Sequence, residues 1–235
     1  MDEGRRRLKV TRHAVAREAL AGGFRTFPPD AQRVVAWWAP IGRDVAADPA
    51  ERHARRARAA ELVLELAAAT TGLPPDALGL THDTGGRPRL GGTRSTAVSL
   101  AHTGPRLMLA LGSRTLGVDA ERERPRDYAA LARQSLTDAE HAWFARQSDA
   151  TLAFLRLWTA KEALLKAASL GLAGGLRSAA VVPRAEGGLT IERVPAPLGD
   201  AHGWQVVELV PEAGYLAAIA CAASVRELEL FVLGS

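Results

Sequence analysis

The sequence predicts an α+β protein of two pseudo-symmetric halves, each a small, mainly antiparallel sheet packed on one long helix. Three observations lead there. Residues 50–71 form an alanine- and leucine-rich run of helical length that stops at Gly72-Leu73-Pro74, and residues 151–170 form a second that stops at Gly171. About three short strand-like runs flank each helix, and the turn Gly112-Ser113 lies between the two sets. The division expected is a basic N-terminal extension over 1–30, an N-terminal half over 31–113 and a C-terminal half over 114–235.

Taken in order, residues 1–30 carry Arg5, Arg6, Arg7, Arg12, Arg17 and Arg25 and end at Phe27-Pro28-Pro29, so they read as an arm without assigned structure. Residues 34–39, with Trp37 and Trp38, read as a strand, and a turn region over 40–49 leads to the first long helix. Strands are expected near 78–81, 97–101 and 106–111. In the second half, 116–119 reads as a strand and 128–134 as a short helix. Residues 137–147 read as a helix in which Thr137, with Glu140 three residues on, forms a capping box. After the second long helix come strands at 179–183, 204–210 and 214–222, with 228–233 a fourth.

The 235 residues include 30 Lys and Arg against 26 Asp and Glu, 47% hydrophobic residues, 22 Gly, 13 Pro and one cysteine. That balance excludes low-complexity disorder, collagen and a disulfide scaffold. No uncharged apolar run approaches the roughly 18 residues of a spanning helix, and no secretory leader is evident at the N-terminus, so a cytoplasmic protein without membrane contact is expected. A net charge of +4 with 5% aromatic residues argues against a nucleic-acid partner. Cys221 reads as a small core residue. Of 30 basic residues only Lys9, Lys161 and Lys166 are lysine. A compact ammonium is therefore retained at two positions five residues apart.

Four segments have the residue types that chemistry needs. In Gly117-Val118-Asp119-Ala120-Glu121, strand periodicity puts Asp119 and Glu121 on one face. Two neighbouring carboxylates call for a positive partner, either a hard divalent cation such as Mg²⁺ or the nearby Arg122 and Arg124. Trp158, Glu162 and Lys166 share one helical stripe, as a surface ion pair or as an acid and a base facing a site. The turn Ala101-His102-Thr103-Gly104 suits either a phosphate or a hydrogen-bonded histidine. Gly85-Gly86-Arg87-Pro88-Arg89 is a loop with two guanidinium groups, and Arg52, Arg55, Arg56 and Arg58 line the first helix.

In this order, Gly-Arg-Pro at 86–88, Ala-His-Thr at 101–103, Gly-Val-Asp-Ala-Glu at 117–121 and Trp-Thr-Ala-Lys-Glu-Ala-Leu-Leu-Lys at 158–166 resemble the successive motifs of the 4'-phosphopantetheinyl transferases of the surfactin-synthetase (Sfp) type. The looser resemblance runs from about Trp37 to Ala223. It departs at Arg87, where the family has lysine, at Ala101, where it has serine, and over residues 1–30, which have no counterpart.

The resemblance implies transfer of the 4'-phosphopantetheine group of coenzyme A to a serine of an acyl, peptidyl or aryl carrier protein domain. 3',5'-ADP would be released, with Mg²⁺ or Mn²⁺ as cofactor and a monomeric enzyme serving fatty acid, polyketide or nonribosomal peptide synthesis. By the same carry-over, Asp119, Glu121 and Glu162 bind the metal and Lys166 the α-phosphate. His102, Thr103 and Arg87 meet the 3'-phosphate and adenine, with Arg55 or Arg56 of the first helix as looser candidates outside any motif, and Lys161 orients the acids or touches phosphate. Glu140 resembles a glutamate assigned as general base, with Glu162 the competitor. A basic, partly apolar patch of Arg122, Arg124, Arg126 and Arg133 with Leu136, Trp143 and Phe144 would receive the carrier. Two other readings are a non-catalytic coenzyme A- or carrier-binding protein of the same fold, and a basic nucleic-acid-binding protein.

Overall fold

The computed structural model describes residues 8–26, 28–42, 49–93, 95–171 and 175–234, with side chains from residue 53 onward in the first long helix. Its elements, in chain order, are β1 (Lys9–Val15), α1 (Arg17–Ala21), β2 (Arg33–Pro40), α2 (Pro49–Thr71), β3 (Gly79–His82), β4 (Pro88–Gly91), β5 (Ala97–Thr103) and β6 (Arg106–Gly112). They continue as β7 (Gly117–Arg122), α3 (Tyr128–Ser135), α4 (Asp138–Phe144), α5 (Ala150–Ala167), β8 (Ala180–Pro183), β9 (Leu189–Arg193), β10 (Trp204–Leu209), β11 (Tyr215–Ala222) and β12 (Glu227–Leu233). Part of the expected 40–49 turn, the Arg5 to Arg7 cluster, Phe27 and the side chain of Arg52 lie outside the described residues.

The α+β expectation holds, and residue alternation explains how the layers stack. Six consecutive residues of β2 are buried, which a strand covered on both faces requires. Val35, Trp37 and Ala39 face one core with Leu107, Leu109 and Leu111 of β6 and the apolar side of α2. Val34, Ala36 and Trp38 face a second core with Met108 and Ala110. Opposite them in that second core stand Val118 and Ala120 of β7 and Ala217, Ile219 and Cys221 of β11. The intervening residues of β11, Leu216, Ala218 and Ala220, join α5 in a third core. The sequence is therefore read in alternate residues as four layers: α2, a five-stranded sheet in the order β1-β12-β2-β6-β5, a three-stranded antiparallel sheet in the order β10-β11-β7, and α5.

Both long helices are held from within. Gly72, at φ 78°, ends α2 by donating its N–H to the Ala68 carbonyl, a left-handed cap that suits glycine. The Trp37 indole donates to the Thr70 hydroxyl at 2.9 Å, tying β2 to that helix.

The first sheet departs from the expectation in two respects. Residues 9–15, read as an unstructured arm, form its edge strand, pairing parallel to β12. The strand is mostly polar, so hydrophobic alternation does not reveal it; Lys9 and Arg12 also suit an exposed sheet edge. Strand 228–233, expected beside its neighbours in sequence, crosses back and inserts between β1 and β2, parallel to both. Its apolar residues serve two cores, Leu228 and Leu230 on one face and Phe231 and Leu233 on the other, as befits a central strand. Strands β4 and β9, absent from the sequence reading, pair as short antiparallel hairpins with β3 and β8. Among the described residues no helix is long and apolar enough to cross a membrane.

Candidate active site

The site forms where β7 meets α5. Val118 and Ala120 point into the core between the sheets, so pleating turns Gly117, Asp119 and Glu121 toward the helix. Gly117 allows the close approach: a Cβ there would lie 2.0 Å from the Ala163 carbonyl oxygen and 2.5 Å from the Ala167 nitrogen. No side chain fits, and with none present the helix brings Glu162 and Lys166 down beside Asp119.

Asp119 and Glu162 are each 7% exposed. Lys166 donates from Nζ to Asp119 Oδ1 at 2.8 Å and to the Leu100 carbonyl of β5 at 3.4 Å. Asp119 Oδ2 and Glu162 Oε1 are buried without hydrogen-bond partners. Such orphans are costly, and where they persist in a native site they mark a place made for something else. Burial, then the nearby Asp119 carboxylate, pushes the Glu162 carboxyl up to about 7, with Lys166 opposing and Glu121 adding to the rise. Burial raises Asp119 as well, against the pull of Lys166. Glu121 is raised by burial first and by Asp119 second, and its carboxylate lies 3.9 Å from Arg124. The three acids thus lie in one another's fields.

Among the described residues no group of three or more His, Cys, Asp or Glu side chains is arranged to hold a metal ion. The contacts explain this, since Lys166 occupies one oxygen of Asp119 and Arg124 draws Glu121. The donor chemistry nevertheless fits a hard divalent cation: two buried carboxylate oxygens face the site unused, with a third acid adjacent.

Positive charge gathers on the β5 side. His102 lies on β5 with part of the residue open to solvent, and packing around its ring, then Lys166, Arg55 and Arg56, push its pKa down to about 4. Arg55 and Arg56 of α2 therefore share one neighbourhood with His102 and Lys166.

Five expected site residues have other employment. Thr103 is 6% exposed and its hydroxyl accepts from the Arg122 N–H at 3.0 Å; Ser99, which the sequence reading did not single out, accepts likewise from Val118. These two hydroxyls join the β5 edge of one sheet to the β7 edge of the other. The only trace of this in the sequence is their i, i+4 spacing on one strand face. Arg87 reaches the C-terminal end of α5, donating to Ser169 Oγ at 2.8 Å and to the Ala167 carbonyl at 3.4 Å. A guanidinium there satisfies late helix carbonyls and complements the helix dipole.

Glu140 corrects the base assignment. It is 1% exposed and accepts from the Thr137 N–H at 2.7 Å, the Val181 N–H at 2.9 Å and the ammonium of fully buried Lys161. A carboxylate with those donors, sealed from solvent, has no access to a substrate proton. Lys161 is equally committed, its ammonium buried against Glu140. The capping-box spacing from Thr137 was the signal for this structural role.

On the carrier side, Arg122 and Arg124 line a cleft with Glu121, Arg126, Leu131 and Trp158, next to the acids. Arg133 is exposed at the end of α3 but is not part of that cleft, while Phe144 packs inside the third core against Phe154 and offers no surface.

The family model of the 4'-phosphopantetheinyl transferase superfamily matches residues 115–220. The chain is 30% identical over 158 residues to the 4'-phosphopantetheinyl transferase HetI of Nostoc sp. (strain PCC 7120 / SAG 25.82 / UTEX 2576), covering 64% of this chain and 63% of that protein. The crystal structure of holo-[acyl-carrier-protein] synthase (AcpS) from Neisseria meningitidis aligns with 46% of this chain and 96% of its own, at 18% identity and a TM-score of 0.38. Residues 115–220, the segment that matches the family model, include Asp119, Glu121, Glu162 and Lys166.

Proposed function

We propose that the protein transfers the 4'-phosphopantetheine group of coenzyme A to the serine hydroxyl of an apo carrier protein domain, releasing 3',5'-ADP. The observation that carries this reading is the pair of buried, unpartnered oxygens of Asp119 and Glu162 beside Lys166, opposite the cationic neighbourhood of His102, Arg55 and Arg56.

Asp119, Glu162 and Glu121 would hold Mg²⁺ or Mn²⁺. Bound there, the cation supplies Lewis acidity to the diphosphate and offsets charge on the departing phosphate. The remaining work belongs to side chains. Lys166 neutralises the phosphate that leaves. Arg55 and Arg56 supply charge for a 3'-phosphate, while His102, neutral above about pH 4, serves as a hydrogen-bond donor. The serine oxygen forms a bond to the pantetheine-bearing phosphorus, the phosphoanhydride bond to the nucleotide breaks, and the serine proton passes to Glu162, since Glu140 is sealed away.

Arg122, Arg124 and Arg126, with Leu131 and Trp158, form the surface offered to an acidic acyl or peptidyl carrier from fatty acid, polyketide or nonribosomal peptide synthesis. A monomer working in the cytoplasm fits this role.

Incubation with coenzyme A, Mg²⁺ and a panel of apo carrier domains, read by intact-protein mass spectrometry, tests the proposal. The expected result is a gain of one phosphopantetheine per carrier domain that depends on the divalent cation. A panel left unmodified by protein that still binds coenzyme A would favour the non-catalytic reading of the same fold.

A further inference from the structure

Lys166 occupies a defined seat. Its ammonium is held from two sides, by Asp119 Oδ1 at 2.8 Å and by the Leu100 carbonyl at 3.4 Å. The side chain is 29% exposed against 10% for that of Asp119, so the lysine closes the solvent side of an otherwise buried acid. Behind it, Asp119 Oδ2 and Glu162 Oε1 stay unpartnered. On its other flank, His102 feels the positive charge of Lys166 together with that of Arg55 and Arg56. Without an anion in the site, repulsion from the arginines and attraction to the carboxylates both press the ammonium onto Asp119.

We infer that Lys166 is a built-in counter-ion that competes with the divalent cation for Asp119, so that the cation enters with full affinity only when a diphosphate draws the ammonium away. The inference rests on the function proposed above and adds an order to it. A diphosphate gives Lys166 a second anionic acceptor on the cationic side, and its departure frees the Asp119 oxygen for the cation. Cation and diphosphate then favour each other's binding, and the coupling is reciprocal by linkage.

The test is binding without a carrier, so that nothing turns over. Mn²⁺ is titrated calorimetrically into the wild-type chain and into Lys166→Met, Lys166→Arg and Arg126→Gln, each with and without coenzyme A. Lys166→Met should bind the cation alone on the order of tenfold more tightly than wild type, within the usual range of site coupling. Its gain on adding coenzyme A should shrink correspondingly. Lys166→Arg, which keeps a charge on the seat, should resemble wild type. Arg126→Gln removes a charge that Glu121 feels but that forms no ion pair with the acids, and should change cation affinity by less than about twofold. Thermal unfolding of each variant verifies that it folds.

Equal cation affinity in wild type and Lys166→Met would overturn the inference, as would equal tightening by Arg126→Gln, which would indicate long-range charge alone. The two levels separate cleanly. If wild-type protein loads carriers but Lys166→Met leaves cation binding unchanged, the counter-ion role fails and the function stands. If no carrier is loaded but Lys166→Met tightens the cation as expected, the function fails and the counter-ion role stands.

Discussion

Helix α5 carries two lysines five residues apart, each paired with a buried carboxylate, and the pairs differ in completeness. Around Lys161 the partner Glu140 accepts from an ammonium and two backbone N–H groups, both side chains are sealed, and neither is among the buried atoms lacking partners. Around Lys166 the partner Asp119 has one oxygen satisfied and one not, and neighbouring Glu162 adds a second orphan. Burial is similar for the acids; satisfaction is not. A complete buried network rigidifies, whereas an incomplete one stores destabilisation that a ligand can relieve. The complete pair locks α4 and β8 to α5 and so sets the rotation of the helix that presents the incomplete one.

The sharpest way to break this contrast is Lys161→Met. It leaves Glu140 as an uncompensated buried charge and should cost about 3–5 kcal/mol of unfolding free energy by urea denaturation. A loss below about 1 kcal/mol would mean that this pair is not the structural one. Next is Gly117→Ala, whose Cβ would meet backbone atoms of α5 at 2.0 and 2.5 Å. Displacing the helix by even about an ångström should lower carrier loading roughly 100-fold. The accompanying overpacking costs about 1–3 kcal/mol. Normal loading would show that the close approach does not position the acids.

Smaller is Ser99→Ala, which strips the Val118 N–H of its acceptor at the joint between the sheets. A loss of about 1–3 kcal/mol is expected, measured by thermal unfolding. The smallest effect is in pH. His102 has a folded-state pKa of about 4, below the 6.5 it has when unfolded. The unfolded chain therefore binds the extra proton first, so this contribution to stability is whole above about pH 6.5 and is lost as pH falls toward 4. His102→Gln should flatten that slope, and only modestly, because part of the residue is open to solvent. An unchanged slope would mean that neither the packing around the ring nor the neighbouring cations act on His102.

The sequence made legible what depends on spacing along a single element. Alternation on β7 put Asp119 and Glu121 on one face, the i, i+4 stripe on α5 put Glu162 with Lys166, and alanine-rich periodicity gave both long helices. What stayed hidden depends on partners distant in the chain. Nothing in 9–15 or 228–233 signals that these strands pair with each other, and the polar edge strand lacks hydrophobic alternation altogether. Lys161 lies next to Glu162 in sequence yet turns to Glu140, and Arg87 donates to Ser169 just beyond α5. Thr103 and Phe144 are of types that suit a site, but burial decides their use. The metal-type acids were readable because like charges at a fixed spacing imply a counter-charge; the charge that answers them in this structure is a lysine.

The most direct test of the unsatisfied acids as the reacting centre is the rate of carrier loading by Glu162→Gln, measured beside its unfolding free energy. Loss of at least 100-fold in rate, with stability unchanged or raised because like-charge repulsion is relieved, is the expected result. Loading at the wild-type rate by a stably folded Glu162→Gln variant would contradict it.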